Sequence, residues 1–227
     1  MNSNASETEL SIIFWNCGVS PTRGNPKDAS KYQLATQLIH NMMISDIDVI
    51  CLVEVSEEYN CFLMWIIDLL NLPYALIDGA TKIPWTRFDS CIIYKSSVLS
   101  KTREIAIVKD EIPGATVKAG QVFFLNIADK KLNFFVSHWP GQQNDQSSKR
   151  EGSAEAVRKW IDDERNNDIL KDLIFLGDYN SSPYSIEITK KLKSSYSKAH
   201  CLKQPRFNIL YNPSWKLIYD VHAYHSS

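Results

Sequence analysis

The chain has 227 residues, 44% hydrophobic and 22% charged, with a formal net charge of -1. This is enough apolar content for one domain with a sizeable core, and the near-zero charge rules out a global electrostatic pull toward nucleic acid. Internal repeats and low-complexity blocks are absent, and the longest apolar patch, Phe62 to Leu72, is interrupted by Asp68 and Asn71 and is too short to span a bilayer.

Residues 1–9 are polar and slightly acidic, and lack the basic start and apolar centre of a secretory signal; they are expected to be disordered. Five cysteines (Cys17, Cys51, Cys61, Cys91 and Cys201) are scattered, mostly in apolar runs, with no Cys-x-x-Cys pair, so they read as reduced core thiols of a cytoplasmic protein. Leu10 to Trp15, "LSIIFW", predicts a first strand, and 18–30, rich in Gly, Pro, Asn and Ser, a loop. Lys31 to Ile44 predicts a helix with Leu34, Leu38 and Met42 beside Ala35 and Ile39 on its inner face. Ile47 to Val55 is a buried strand broken by Glu54, and "CFLMWIIDLL" is a second helix.

Short β-rich runs follow at Tyr74 to Ile77, Ser90 to Tyr94, Glu104 to Val108, Gln121 to Ile127 and Leu132 to Val136, and their close spacing predicts an antiparallel meander. Glu151 to Asn166 is helical, with Ala154, Val157, Trp160 and Ile161 inward, and Leu173 to Leu176 is a last buried strand. The whole, 1–227, is predicted as one α+β domain of two sheets packed face to face with helices outside.

Four of these apolar runs end in residues ill suited to a core: Asn16, Glu54, His138, and Asp178 with Asn180. Each also has a purely structural reading: a turn cap, an ion-pair partner, a satisfied core histidine, a helix cap ahead of Ser182-Pro183. If the strands share one sheet edge, Asn16, Glu54 and Asp178 supply the hard oxygen donors that Mg²⁺ (or Mn²⁺) prefers, and His138 a donor for phosphoryl oxygens. The run Lys190 to Arg206 holds six cations and no acid; it suits a phosphate backbone or a solvated helix end. Trp85, Arg87 and Phe88, and the aromatics of Tyr211 to Trp215, suit either substrate stacking or plain packing.

"FWNCG", "CLVEV", "SCIIYK", "FVSHWP" and "FLGDYN", in this order over residues 10 to 185, resemble the endonuclease/exonuclease/phosphatase superfamily, whose best-known fold is that of deoxyribonuclease I. The resemblance implies a four-layer αββα sandwich and Mg²⁺-dependent phosphodiester hydrolysis, as a nuclease, by metal-activated water. The alternatives are a phosphomonoesterase, a lipid phosphodiesterase or a catalytically impaired binding member. It implies that Glu54 binds the metal with Asn16 as ligand or support, that Asp178 orients or activates the water, and that Asn180 and His138 hold the phosphate. Arg150, placed just before the third helix, is implied as a phosphate contact, with an ion pair at the helix start as the other reading.

The family's closing Ser-Asp-His is not recognisable; Asp220, His222 and His225 are the nearby substitutes. The expectation is therefore that C-terminal strand(s) are missing and that a partner chain covers the sheet edge left open.

Overall fold

The computed structural model describes residues 9–20, 28–81, 89–112, 115–141, 147–164, 169, 172–181, 198–201 and 208–211. The first sheet joins β1 (Ile12–Asn16), β2 (Val49–Val55), β3 (Tyr74–Asp78) and β4 (Asp89–Lys95) in the order β1-β2-β4-β3, with β1 and β2 parallel and the rest antiparallel. The second joins β5 (Leu99–Lys101), β6 (Ala106–Ile112), β7 (Ala115–Ile127), β8 (Lys130–His138), β9 (Leu173–Asp178), β10 (Lys198–Cys201) and β11 (Asn208–Tyr211) in the order β10-β11-β9-β8-β7-β5, with β6 also paired to β7. The expected single meander is thus split: β3 and β4 belong to one sheet and β5 to β8 to the other. Each run has the strand period, but pairing depends on contacts far apart in sequence, which periodicity does not encode.

Three apolar seams define four layers. Helices α1 (Ala29–Ile44) and α2 (Glu57–Leu69) cover the outer face of the first sheet through Ala35, Ile39, Met43, Tyr59, Leu63 and Ile67 against Ile50 and Leu52. Val49, Cys51, Val53 and Ile92 meet Phe123, Phe134, Val136, Ile174 and Leu176 between the sheets. Helix α3 (Ser147–Asp163) lies on the outer face of the second sheet, where Ala154, Val157 and Ile161 pack on Phe135 and Phe175. The architecture is the expected αββα sandwich. It follows from the strand period of two, which turns one side of β2 to the helices and the other to the facing sheet.

Several local expectations shift. The inner face of α1 is centred one residue on from the predicted one, at Ala35, Ile39 and Met43, leaving Leu34 53% exposed. Trp160 is only partly buried, and α3 begins at Ser147, so Arg150 lies inside the helix and not ahead of it. Cys17, Cys51 and Cys91 are buried free thiols, as expected; Cys61 is exposed, because it falls on the outward side of α2. The edge expected to be open beside β9 is paired: β11 runs antiparallel along it, Asn208 opposite Gly177 and Leu210 opposite Phe175. Asp220, His222, His225, Trp85, Arg87, Phe88, and the basic run apart from Lys198 and the β10 residues beside it, lie outside the described residues. Among the described residues no helix is long and apolar enough to cross a membrane.

Candidate active site

Asn16, Glu54, His138, Asp178 and Asn180 come from β1, β2, β8 and β9 and converge where these strands end, β1 facing β9 and β2 facing β8 across the sandwich. Simple alternation aims three of them. Ile12 and Phe14 turn toward the space between the sheets, so Asn16 does too; Phe134 and Val136 do the same for His138, and Ile174 and Leu176 for Asp178.

Glu54 is out of phase. Val49, Cys51 and Val53 face the other sheet, so Glu54 should point at the helices. A register shift between Val53 and Val55, with Glu54 at φ 56°, reverses the phase, and Val55 faces the helices instead. Backbone in this region is costly for a non-glycine residue, and a bulge of this kind re-aims a side chain. Asn180, at φ 48°, is also left-handed, a conformation that Asn tolerates better than most residues.

The five side chains form one hydrogen-bonded group. Asn16 Nδ2 donates to Glu54 Oε1 at 3.1 Å and to Asp178 Oδ2 at 3.2 Å, while its Oδ1 accepts from Gly18 N at 3.1 Å. With both amide hydrogens directed at carboxylates and the carbonyl taken by Gly18, Asn16 acts as the tether between the sheets. His138 Nε2 lies 3.2 Å from Glu54 Oε1, 4.0 Å from Asp178 Oδ2 and 3.3 Å from Asn180 Nδ2. Asn180 is held by Nδ2 donating to Trp139 O at 2.8 Å and by its own N donating to Asp178 Oδ1 at 3.1 Å. Burial pushes His138 down to about 4 against the opposing pull of Asp178, with Lys118 lowering it further, so the ring is neutral at pH 7.

Gly177 explains the close approach of β8 and β9. A Cβ there would lie 2.9 Å from Ser137 Cβ and 3.0 Å from Ser137 O, so only glycine lets His138 and Asp178 stand opposite each other. Arg150 Nη1 donates to Gly141 O at 3.1 Å, which ties α3 to the loop that follows His138.

A second polar group, not picked out from the sequence, lies beside the first. Lys118 Nζ donates to Asp89 Oδ1 at 2.6 Å across the two sheets and to Thr81 Oγ1 at 3.3 Å, and Gln121 joins Ser90 Oγ and Gly79 O. Lys118 and Gln121 are three apart yet both reach the other sheet, because a register shift in the β6–β7 ladder breaks the alternation. Lysine and glutamine in an otherwise apolar strand were the available signal; the phase break that aims them is invisible in sequence.

The donor chemistry fits one hard cation. Glu54 presents a carboxylate 27% exposed, and Asp178 a second one 7% exposed, while among the described residues no group of three His, Cys, Asp or Glu is arranged around an ion. Few protein ligands with open positions for water and phosphate is the pattern Mg²⁺ favours.

A sequence profile of the endonuclease/exonuclease/phosphatase family matches residues 29–223. The chain belongs to this family. The match reaches well past residue 185, where the legible motifs end. Solved structures agree in fold. A humanised form of D. rerio TDP2, a protein also seen complexed with single strand DNA product, gives a TM-score of 0.61 at 17% identity over 92% of this chain and 85% of its own. The human Nocturnin catalytic domain, with bound sulfate anion, gives 0.63 at 12% identity over 90% and 83%. A mannosyl-6-phosphatase of Bacteroides thetaiotaomicron gives 0.62 at 15% over 91% and 86%. A comparison with curated protein sequences found no match. This family member therefore carries a phosphoesterase fold, with its polar cluster at one end of the paired sheets.

Proposed function

We propose that the protein is a divalent-metal-dependent phosphodiesterase acting on nucleic acid, and the observation that carries this is the convergence of Glu54, His138, Asp178 and Asn180 around Asn16. Glu54 would hold Mg²⁺ or Mn²⁺, with Asn16 keeping its carboxylate in place by the Nδ2 bond. When bound, the cation supplies Lewis-acid polarisation of a phosphoryl oxygen and a lowered water pKa.

The chain's own residues do the rest. Asp178, anchored by Asn16 and Asn180 N, orients the attacking water and takes its proton. Neutral His138, as the tautomer protonated at Nε2, and Asn180 donate to the phosphoryl oxygens as charge builds there. Arg150 steadies the loop after His138 and adds positive charge on the phosphate side. The complex of TDP2 with single strand DNA product supports a nucleic-acid substrate; the sugar phosphatase neighbour supports monoester hydrolysis as the second reading.

The test is hydrolysis of a single-stranded oligonucleotide, bis-p-nitrophenyl phosphate and a sugar monophosphate in Mg²⁺, Mn²⁺ or EDTA. Metal-dependent cleavage of the diesters is expected, lowered about 10²–10⁴-fold by Asp178→Asn and likewise lost in Glu54→Gln. Cleavage that survives both substitutions would sink the proposal, and turnover of the monoester alone would select the second reading.

A further inference from the structure

Beside the Glu54 carboxylate the missing side chain of Gly18 makes room for the end of Lys31. Gly18 sits at φ 58°, and a Cβ added to it would lie 3.0 Å from Lys31 Nζ and 3.4 Å from Glu54 Oε2. The ammonium and the carboxylate oxygen thus border the same point above the Gly18 backbone. The helix start fixes this arrangement: the Asp28 carboxylate accepts from Ser30 N at 3.0 Å and Lys31 N at 3.2 Å, placing Lys31 in the first turn of α1.

Other cations around the site have partners. Lys118 is taken up by Asp89, and Arg150 Nη1 by Gly141 O. Lys31 Nζ makes no ion pair or hydrogen bond among the described residues, although an acid stands beside it. Lys31 is an exposed residue of α1, the helix layer of the first sheet, whereas His138 and Asn180 belong to the second sheet's side of the cluster.

We propose that Lys31 binds a phosphate next to the scissile one, so that the site recognises a chain of phosphodiesters rather than an isolated phosphoester. The inference rests on the phosphodiesterase reading and narrows it. His138, Asn180 and Asp178 are occupied with the reacting phosphate; a strand continuing past Glu54 brings its next phosphate toward α1. The flexible stem of lysine, freed by the missing side chain at Gly18, lets the ammonium follow it. A net charge of -1 gives no general attraction, so a local cation decides which substrates are held.

The experiment uses the full chain with Mg²⁺, comparing wild type, Lys31→Gln, Lys31→Arg and, as a charge control, Lys101→Gln. Lys101 pairs with Leu125, at the other end of β7 from Lys118. On a single-stranded oligonucleotide Lys31→Gln is expected to lower kcat/KM about fivefold and to reduce the slope of log kcat/KM against log salt by about 0.7. On bis-p-nitrophenyl phosphate, which has one phosphate, it is expected to change nothing, and Lys31→Arg is expected to restore the oligonucleotide values. Equal loss on both substrates, or the same effect from Lys101→Gln, overturns the proposal.

Fluorescence anisotropy of the labelled oligonucleotide over the same salt series reads the contact without turnover. A slope difference with no cleavage by wild type overturns the nuclease reading and keeps the Lys31 contact; identical slopes overturn the contact whatever the turnover.

Discussion

His138 shows how much one side chain draws from its surroundings. An imidazole pressed between two carboxylates would be expected to charge, yet burial wins and holds it at about 4, below its ordinary 6.5. Between those values the unfolded chain binds the proton and the folded chain does not. The stabilisation from this residue is therefore complete above about pH 6.5 and is lost as the pH falls toward 4. In metal-free buffer, thermal melts of wild type are expected to lose Tm across that window, and His138→Gln is expected to flatten part of the loss; parallel curves for the two proteins would contradict it. That a histidine ends the run "FVSH" was legible in the sequence. Its neutrality was not, because burial is a property of the packed sandwich.

At the scale of elements, the site is held by links between the sheets as well as by the strands themselves. The Lys118–Asp89 pair is buried, with side-chain exposures of 6% and 14%, and joins β7 to β4 beside the His138 cluster. Burial lowers the Lys118 pKa and Asp89 opposes it. Removing one partner strands the other charge, so Lys118→Met is expected to destabilise by roughly 3–5 kcal/mol, and the double change Lys118→Met with Asp89→Leu to recover most of it. Urea titrations of the two variants check this; a double variant as weak as the single one would mean that the Thr81 contacts, not the charge pair, set the spacing. The predicted strands were close to those found, since periodicity of two and apolar runs are local properties. Sheet membership was misread, since β3–β4 and β7–β8 look alike in sequence and differ only in their partners.

For the molecule as a whole, the end of the sandwich that holds the polar cluster is a joint between halves that carry complementary groups: Asn16 and Glu54 on the first sheet, His138, Asp178 and Asn180 on the second. A cation held by Glu54 would bind the folded joint alone, and mass action then stabilises that state by about 2.7 kcal/mol at a hundred times Kd and raises Tm with concentration. Millimolar Mg²⁺ is expected to raise Tm over EDTA in wild type and to leave Glu54→Gln unmoved; an equal rise in both would place the ion elsewhere. The helix layer on the first sheet leaves Phe62, Trp65 and Leu69 at 39%, 55% and 60% exposure, with Phe62 and Trp65 stacked at 5.9 Å. Nothing in the site depends on them.

By itself the sequence determined the layers and the cast of polar residues, because buried runs must end somewhere and an Asn, a Glu, a His and an Asp-x-Asn ended four of them. The tertiary structure alone decided how Glu54 is turned toward the other four, that Asn16 tethers rather than simply caps, and that Lys118 and Lys31 stand near them. Alternation would have sent Glu54 to the helix side; a single left-handed residue at a register shift turned it back. Such a phase break is a backbone event set by the pairing of distant strands, and a linear pattern of residue types carries no record of it.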